Sequence, residues 1–300
     1  MHAHHKSQSA MEYLMTYGWA ILIIAVVLSV LFQLGVFSSG NFQPHAQAGA
    51  CQVSRTVAGV SLEGQCNGLL PQFVLNEPNG QGEITASVPS TATPSAGTIT
   101  VWFNRKWVTN DGAVHGMLTL GGGCGFPGAN AVDCDWNVVQ IFKYSDNLWY
   151  FRDIAPSSGC QINIADSAIS GNVWNQLTFE WGSAVGGLEV WVNDGTPQTC
   201  GQSSFPTGWE TTNMYLGYGY GENSWEGYLS NIQIYNTTLS STEVTALYDE
   251  GIGGAPIRPQ NLVGWYPLNG NANDYSGNNN NGQLNNVQFS SSWENGYTAP

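Results

Sequence analysis

The chain has 300 residues, and a globular part of about 250 can bury one sizeable core. Only 9% of residues are charged, the formal net charge is −14, and the seven Lys and Arg are scattered, so there is no basic stripe of the kind that binds nucleic acid. With 37 Gly, 12 Trp and 13 Tyr and few Lys or Glu, most of the chain reads as β structure solvated by neutral polar side chains.

Residues 20–37, AILIIAVVLSVLFQLGVF, form an uncharged stretch of 18 residues, and extension back to Met11 adds Glu12 and two tyrosines as the ionisable groups. Wound as a helix, 11–37 measures roughly 40 Å, more than the hydrocarbon core of about 30 Å. A cleaved secretory signal would have a shorter apolar region followed closely by an A-x-A site, so this helix is expected to stay on the protein. Lys6 has no competing basic cluster beyond the apolar run, which directs the N-terminus to the cytoplasm and residues 38–300 outside.

The run Lys6-Ser7-Gln8-Ser9-Ala10-Met11-Glu12-Tyr13 resembles the class III signal of archaeal-type type IV pilins. The resemblance implies cleavage by a prepilin peptidase after Ser7, which stands where glycine or alanine is commoner. Residues 1–7 then form the leader, taking His2, His4 and His5 with it, and Gln8 becomes the mature N-terminus. Glu12 falls at the fifth mature position. A lone carboxylate in hydrocarbon is expensive without a cation, and the α-amino group of a neighbouring subunit's Gln8 would supply one and set axial register. The implied partners are further copies of the chain, the peptidase, the pilus assembly machinery, and the membrane before assembly. The alternative is a plain transmembrane anchor with Glu12 near the interface. Residues 8–45 are the expected helix and neck, with Gly, Asn and Gln after Ser38 marking a hinge.

Six Cys, at 51, 66, 124, 134, 160 and 200, all follow the apolar segment and form neither CxxC pairs nor Cys/His groups, which favours an oxidising compartment over zinc. Fifteen connectivities are open; pairing of nearest neighbours (Cys51–Cys66, Cys124–Cys134, Cys160–Cys200) is a guess from loop length.

From about residue 46, strand-sized runs separated by Gly, Asn, Asp and Pro turns predict a two-sheet antiparallel sandwich: 97–107, 174–181, 188–195 and 228–236. WNQLTFEW with LEVWVNDG, then MYLGYG, then EGYLSNIQIYNTTLSSTEVTALYDEG together resemble the concanavalin A-like, laminin-G-like jelly roll. In the last of these Leu229, Ile232 and Ile234 are expected inward, and Ser240 or Ser241 caps a short helix with Glu243 in its first turn. LVGWYPLNGNANDYSGNNNNGQLNNVQF at 262–289 is similar to the opening segment of the same family, displaced to the end. About 40 residues cannot build a core alone, so 260–300 is expected to dock on the sandwich as in a circular permutant; a degenerate stub of a second repeat is the alternative.

Trp136, Trp149, Trp209, Tyr218, Tyr220 and Trp225 lie near Gly- and Asn-rich turns and are the candidate glycan platforms, against the reading that they are core packing. Asn271, Asn273 and Asp274 are candidate calcium ligands, an ion that the laminin-G resemblance implies. With a single carboxylate and no D-x-[DN]-x-[DN]-G loop, turn chemistry explains the same residues. No other cofactor is expected. Asn236-Thr237-Thr238 is a glycosylation sequon.

Some relatives of the fold hydrolyse polysaccharides with two carboxylates on one strand, but no E-x-D-x-E occurs here. Asp133 with Asp135 and Glu222 with Glu226 read as turn or surface pairs, and no catalytic residue is assigned. The expectation is an extracellular filament subunit, inserted in the cytoplasmic membrane before assembly, whose head serves adhesion and reaches surface polysaccharide. The alternative is a monomeric membrane-anchored lectin.

Overall fold

The computed structural model describes residues 6–33, 70–78, 82–122, 138–154, 160–218 and 224–300. Residues 1–45 and 46–300 form two compact units. Among the described residues the first holds helix α1, Lys6–Gln33. Its side chains are described at Met15 and over 17–29, where Tyr17, Trp19, Ile21, Leu22, Ile23, Ile24, Val26, Val27 and Leu28 are all exposed. Among the described residues no helix is long and apolar enough to cross a membrane. The membrane-spanning rod expected over 11–37 is thus not shown by the described residues. The side chains of Lys6, Ser7, Gln8 and Glu12, and all of Cys51, Cys66, Cys124, Cys134, Trp136 and Tyr220, lie outside the described residues.

The second unit is an antiparallel sandwich. Its strands are β1 Val74–Glu77, β2 Glu83–Ser87, β3 Gly97–Arg105, β4 His115–Leu120, β5 Val138–Lys143, β6 Leu148–Ile154, β7 Cys160–Ala165, β8 Asn175–Gly182, β9 Gly187–Val192, β10 Gln198–Gly201, β11 Asn213–Leu216, β12 Gly227–Tyr235, β13 Leu262–Tyr266, β14 Gln283–Asn285 and β15 Gln288–Ser290. One sheet runs β10-β9-β8-β3-β12-β1-β15, with β13 also on β12; the other runs β14-β2-β11-β4-β5-β6-β7. Between them lies the core. Ile99, Val101, Phe103, Leu177, Phe179 and Ile234 come from one sheet, and Leu118, Leu120, Val139, Ile141, Trp149 and Phe151 from the other. These residues alternate along their strands, so the intervening side chains face outward.

Leu229, Ile232 and Ile234 all reach the core although the first is an odd number of residues from the other two. A register shift between Ser230 and Gln233, with Asn231 at φ 47°, re-aims the strand. β12 then pairs β1 through Gly227–Leu229 and β13 through Ile232–Tyr235. Helix α2, Ser241–Asp249, starts in a reciprocal capping box of Ser240 and Glu243. Its Val244 and Leu247 pack with Tyr235, Leu262 and Trp265.

Residues 262–290 contribute to both sheets: β13 and β15 to one, β14 to the other. Trp293 beyond them is fully buried, and Trp174 Nε1 donates to its carbonyl at 3.1 Å.

Candidate functional site

The hairpin of β5 and β6 presents two faces. Val139, Ile141, Trp149 and Phe151 face the core, which leaves Gln140, Phe142, Tyr150 and Arg152 on the outer face of the seven-stranded sheet. Asn147 at φ 65° takes the hairpin turn, where Tyr144 N donates to Leu148 O at 2.8 Å. Phe142 lies opposite Tyr150, and Gln140 opposite Arg152.

Planar groups therefore stand side by side. Phe142 and Tyr150 are stacked with centroids 5.1 Å apart, the Arg152 guanidinium sits 4.8 Å from the Phe142 centroid, and Tyr144 meets both rings edge-on. Gln140 Oε1 accepts from Arg152 Nε at 2.9 Å and Nη2 at 2.6 Å, fixing the fork. Tyr150 donates to Asp146 Oδ2 at 2.6 Å, and that hydrogen bond to an anion is the main cause that raises the phenol's pKa. Phe142, Tyr144, Tyr150 and Arg152 line an open depression of about 150 Å³. An enclosed small-molecule pocket is larger, roughly 300–1,000 Å³, so anything bound here keeps much of its surface in water. Phe142 is only 2% exposed, which leaves half-buried Tyr144, Tyr150 and Arg152 to meet it.

The residues expected from the sequence are distributed otherwise. Trp149, whose position on β6 faces the core, and Trp225, just before β12, are fully buried in a cluster with Phe103 and Trp107; neither is a platform. Trp149 Nε1 instead donates to Asp166 Oδ1 at 3.0 Å. Tyr218 is buried against Tyr215, and half-buried Trp209 donates through Nε1 to Ala92 O at 3.2 Å. The platform reading is corrected for Trp149, Trp225 and Tyr218. Phe142, Tyr144 and Arg152 carry the site without having been singled out. The alternation of Gln140, Phe142 and Tyr144 against Tyr150 and Arg152 in VVQIFKYSDNLWYFRDI was the signal that could have found them.

Asp274 is a turn organiser. Its carboxylate accepts from Trp265 N and Ser276 N through Oδ1, and from Asn280 N and Nδ2 through Oδ2, at 2.9–3.3 Å. Four N–H donors converge where a cation would need bare oxygens. Asn271 Oδ1 accepts from Asn273 N at 2.9 Å, an Asx turn. Among the described residues no group of three His, Cys, Asp or Glu could hold a metal. The calcium reading of Asn271, Asn273 and Asp274 therefore gives way to turn chemistry. Asn236 is half-buried, with Nδ2 donating to Thr91 O at 3.3 Å and Oδ1 accepting from Asn261 at 3.0 Å. Its amide is tied at both ends rather than projecting.

Cys160 and Cys200 form a disulfide, with Cα atoms 6.1 Å apart.

No curated protein matches the sequence. Among solved structures, a Bacteroides ovatus protein thought to bind carbohydrate aligns at TM-score 0.48 and 14% identity, over 73% of this chain and 60% of its own. The carbohydrate-binding module of a Ruminococcus gnavus sialidase, bound to α2,3-sialyllactose, aligns at 0.44 and 15% over 58% and 95% of the two chains. A heptameric pentraxin of Limulus polyphemus aligns at 0.38 and 14% over 59% and 81%. Scores below 0.5 carry no inference about what this chain binds. The family described as the concanavalin A-like lectin/glucanases superfamily matches residues 78–245, more than half of the sequence and every strand from β2 to β12. The chain belongs to the concanavalin A-like lectin/glucanases superfamily.

Proposed function

We propose that this chain is a surface-displayed, saccharide-binding protein whose head takes its ligand at the Tyr144–Tyr150–Arg152 depression. The observation that carries the reading is the pairing of a fixed guanidinium with half-exposed phenol rings in an open hollow. Sugar rings need apolar contact and several hydrogen bonds at once, and this arrangement offers both on one sheet face. Membership of a superfamily named for lectins and glucanases supports it. Binding rather than hydrolysis is the better reading, because the sequence holds no E-x-D-x-E strand.

The head is carried, in this proposal, on a type IV pilin-like stalk. The motif Lys6–Tyr13 and the exposed apolar side chains of α1 support polymerisation through the helix into an extracellular filament.

A saccharide microarray probed with the full chain tests the binding claim. Neutral or acidic glycans should score, and Tyr150→Ala and Arg152→Ala should each weaken the strongest of them at least tenfold. An empty array, or binding that neither substitution changes, would overturn the assignment.

A further inference from the structure

Lys143 ends β5 with its side chain turned into the sandwich, as the inward Val139 and Ile141 on the same strand require. Its cross-strand partners are His115 on β4 and Trp149 on β6. Lys143 is fully buried and His115 is 5% exposed. The ammonium meets the loop 106–114 between β3 and β4: Nζ donates to Asp111 Oδ1 and, at 3.0 Å, to Ala113 O. The second carboxylate oxygen, Oδ2, lies 2.7 Å from His115 Nε2.

Every member of this trio is held in place. The His115 ring is stacked on Trp107 with centroids 3.9 Å apart and planes 3° apart, and Trp225 meets Trp107 edge-on. Backbone donors pin the loop: Asn110 N reaches Asp166 Oδ2 at 2.8 Å, Gly112 N reaches Asn147 Oδ1 at 3.0 Å, and Ala113 N reaches Asp111 Oδ1 at 3.1 Å. An amine nitrogen and a carboxyl group are thus fixed against each other among indole rings, with a proton carrier on one oxygen and a backbone N–H on the other. Such fixing makes an intramolecular condensation far easier than its bimolecular counterpart. Desolvation adds a drive, because a buried ion pair recovers only part of its lost hydration whereas an amide carries no charge. Burial holds the His115 imidazole below its ordinary pKa, against the upward pull of Asp111, so near neutrality it is free to take and return a proton.

We infer that Lys143 and Asp111 are a modification site, joined by an isopeptide bond that staples the β3–β4 loop to β5. The bond from Nζ to Cγ forms and the bond from Cγ to Oδ2 breaks. Oδ2 leaves as water with two of the three ammonium protons, passed to it by His115 Nε2, and Oδ1 stays as the amide oxygen facing Ala113 N. One positive and one negative charge vanish together, and nothing is oxidised or reduced. The Asp111 side chain is 19% exposed, which gives the water a way out. The link does not depend on what the head binds.

Peptide mapping of the full chain after reduction and alkylation tests the inference. No Lys or Arg lies between Lys106 and Lys143, so residues 107–143 would be one tryptic peptide holding both partners. A linked Lys143 resists trypsin, so the expected product runs instead from Trp107 to Arg152 and is lighter by one water. A second cut after Leu118 should leave its two pieces joined. Lys143→Arg keeps a cation for Asp111 but cannot form the amide, and should restore both the cut after position 143 and the full mass. His115→Phe keeps a ring on Trp107 and should slow linkage at least about tenfold, read as linked fraction against time after a pulse of synthesis. Parent protein cut after Lys143 at full mass would overturn the link and leave an ion pair. A one-water loss with the cut retained would also overturn it, since Asp111 precedes Gly112 and a succinimide loses the same water. Linkage at the parent rate in His115→Phe would overturn the proton relay.

Discussion

Cys160 and Cys200 join the outermost strand of one sheet to the outermost strand of the other: β7 ends the seven-stranded sheet and β10 ends the eight-stranded one. Core residues of the two sheets are thereby held face to face along that side. On the opposite side the chain does the same work without sulfur, since β14 and β15, the outermost strands there, are separated by two residues and pair β2 and β1 of opposite sheets. The bridge closes a 40-residue separation, for which chain entropy predicts about 4 kcal/mol. A Cys160→Ser/Cys200→Ser double variant should lose about that much stability in urea while keeping its β-sheet circular dichroism. An unchanged midpoint would show that the edges hold without the bond.

Asp153 lies directly opposite Cys160 and is fully buried. Burial pushes its carboxyl up to about 8, against a weaker pull downward from the Gln202 hydrogen bond. Glu77, also buried, is pushed to about 10, chiefly by burial. In both cases the folded state keeps a proton that the unfolded chain releases near pH 4. More protons are bound folded than unfolded, so what these two groups contribute to stability is greatest at and below about pH 4 and is lost as the pH rises through about 8 for Asp153 and about 10 for Glu77. Asp153→Asn removes the ionisation and still offers Gln202 a carbonyl oxygen. Its melting temperature should exceed the parent's at pH 8 by several degrees and converge with it near pH 4. A variant less stable than the parent at pH 8 would contradict this.

Asp166 gathers the buried polar groups at one end of the sandwich. It accepts from Trp149 Nε1 at 3.0 Å, Trp107 Nε1 at 3.4 Å and Asn110 N at 2.8 Å, with Arg105 Nε 3.7 Å away. Arg105 is 1% exposed and also donates to the carbonyls of Trp107 and Ile169. Asp166→Ala would strand that cation and the two indole N–H groups, a change worth about 3–5 kcal/mol. Urea unfolding at neutral pH measures it, and a loss under about 1 kcal/mol would mean the carbonyls alone suffice for Arg105.

The stalk proposal rests on charge in an apolar setting. Glu12→Gln leaves the apolar run of α1 intact but removes the partner for a neighbouring amino terminus. Filaments sheared from cells should begin at Gln8, and the variant should yield far fewer of them at equal cellular protein. Normal filament yield from the variant would remove the register argument, and protein retained in membranes with Lys6 attached would favour an anchored lectin.

Strands such as β3, β8, β9 and β12 were legible because β-branched and aromatic residues alternate between firm turn residues. The capping box at Ser240 and Glu243 was legible for a local reason, since both its members lie within four residues. The site was not legible in the same way. In LWYFRDI both Trp149 with Phe151 and Tyr150 with Arg152 look suited to either face, and only the pairing with Val139 and Ile141 on β5 decides which two are buried.

The most direct test of the saccharide-binding head is hydrogen–deuterium exchange on the full chain, with and without the strongest array-positive oligosaccharide. Slowed exchange concentrated on the β5–β6 hairpin, residues 138–154, is the expected result. Protection confined to the opposite sheet or to the α2 region, with the hairpin unchanged, would contradict it.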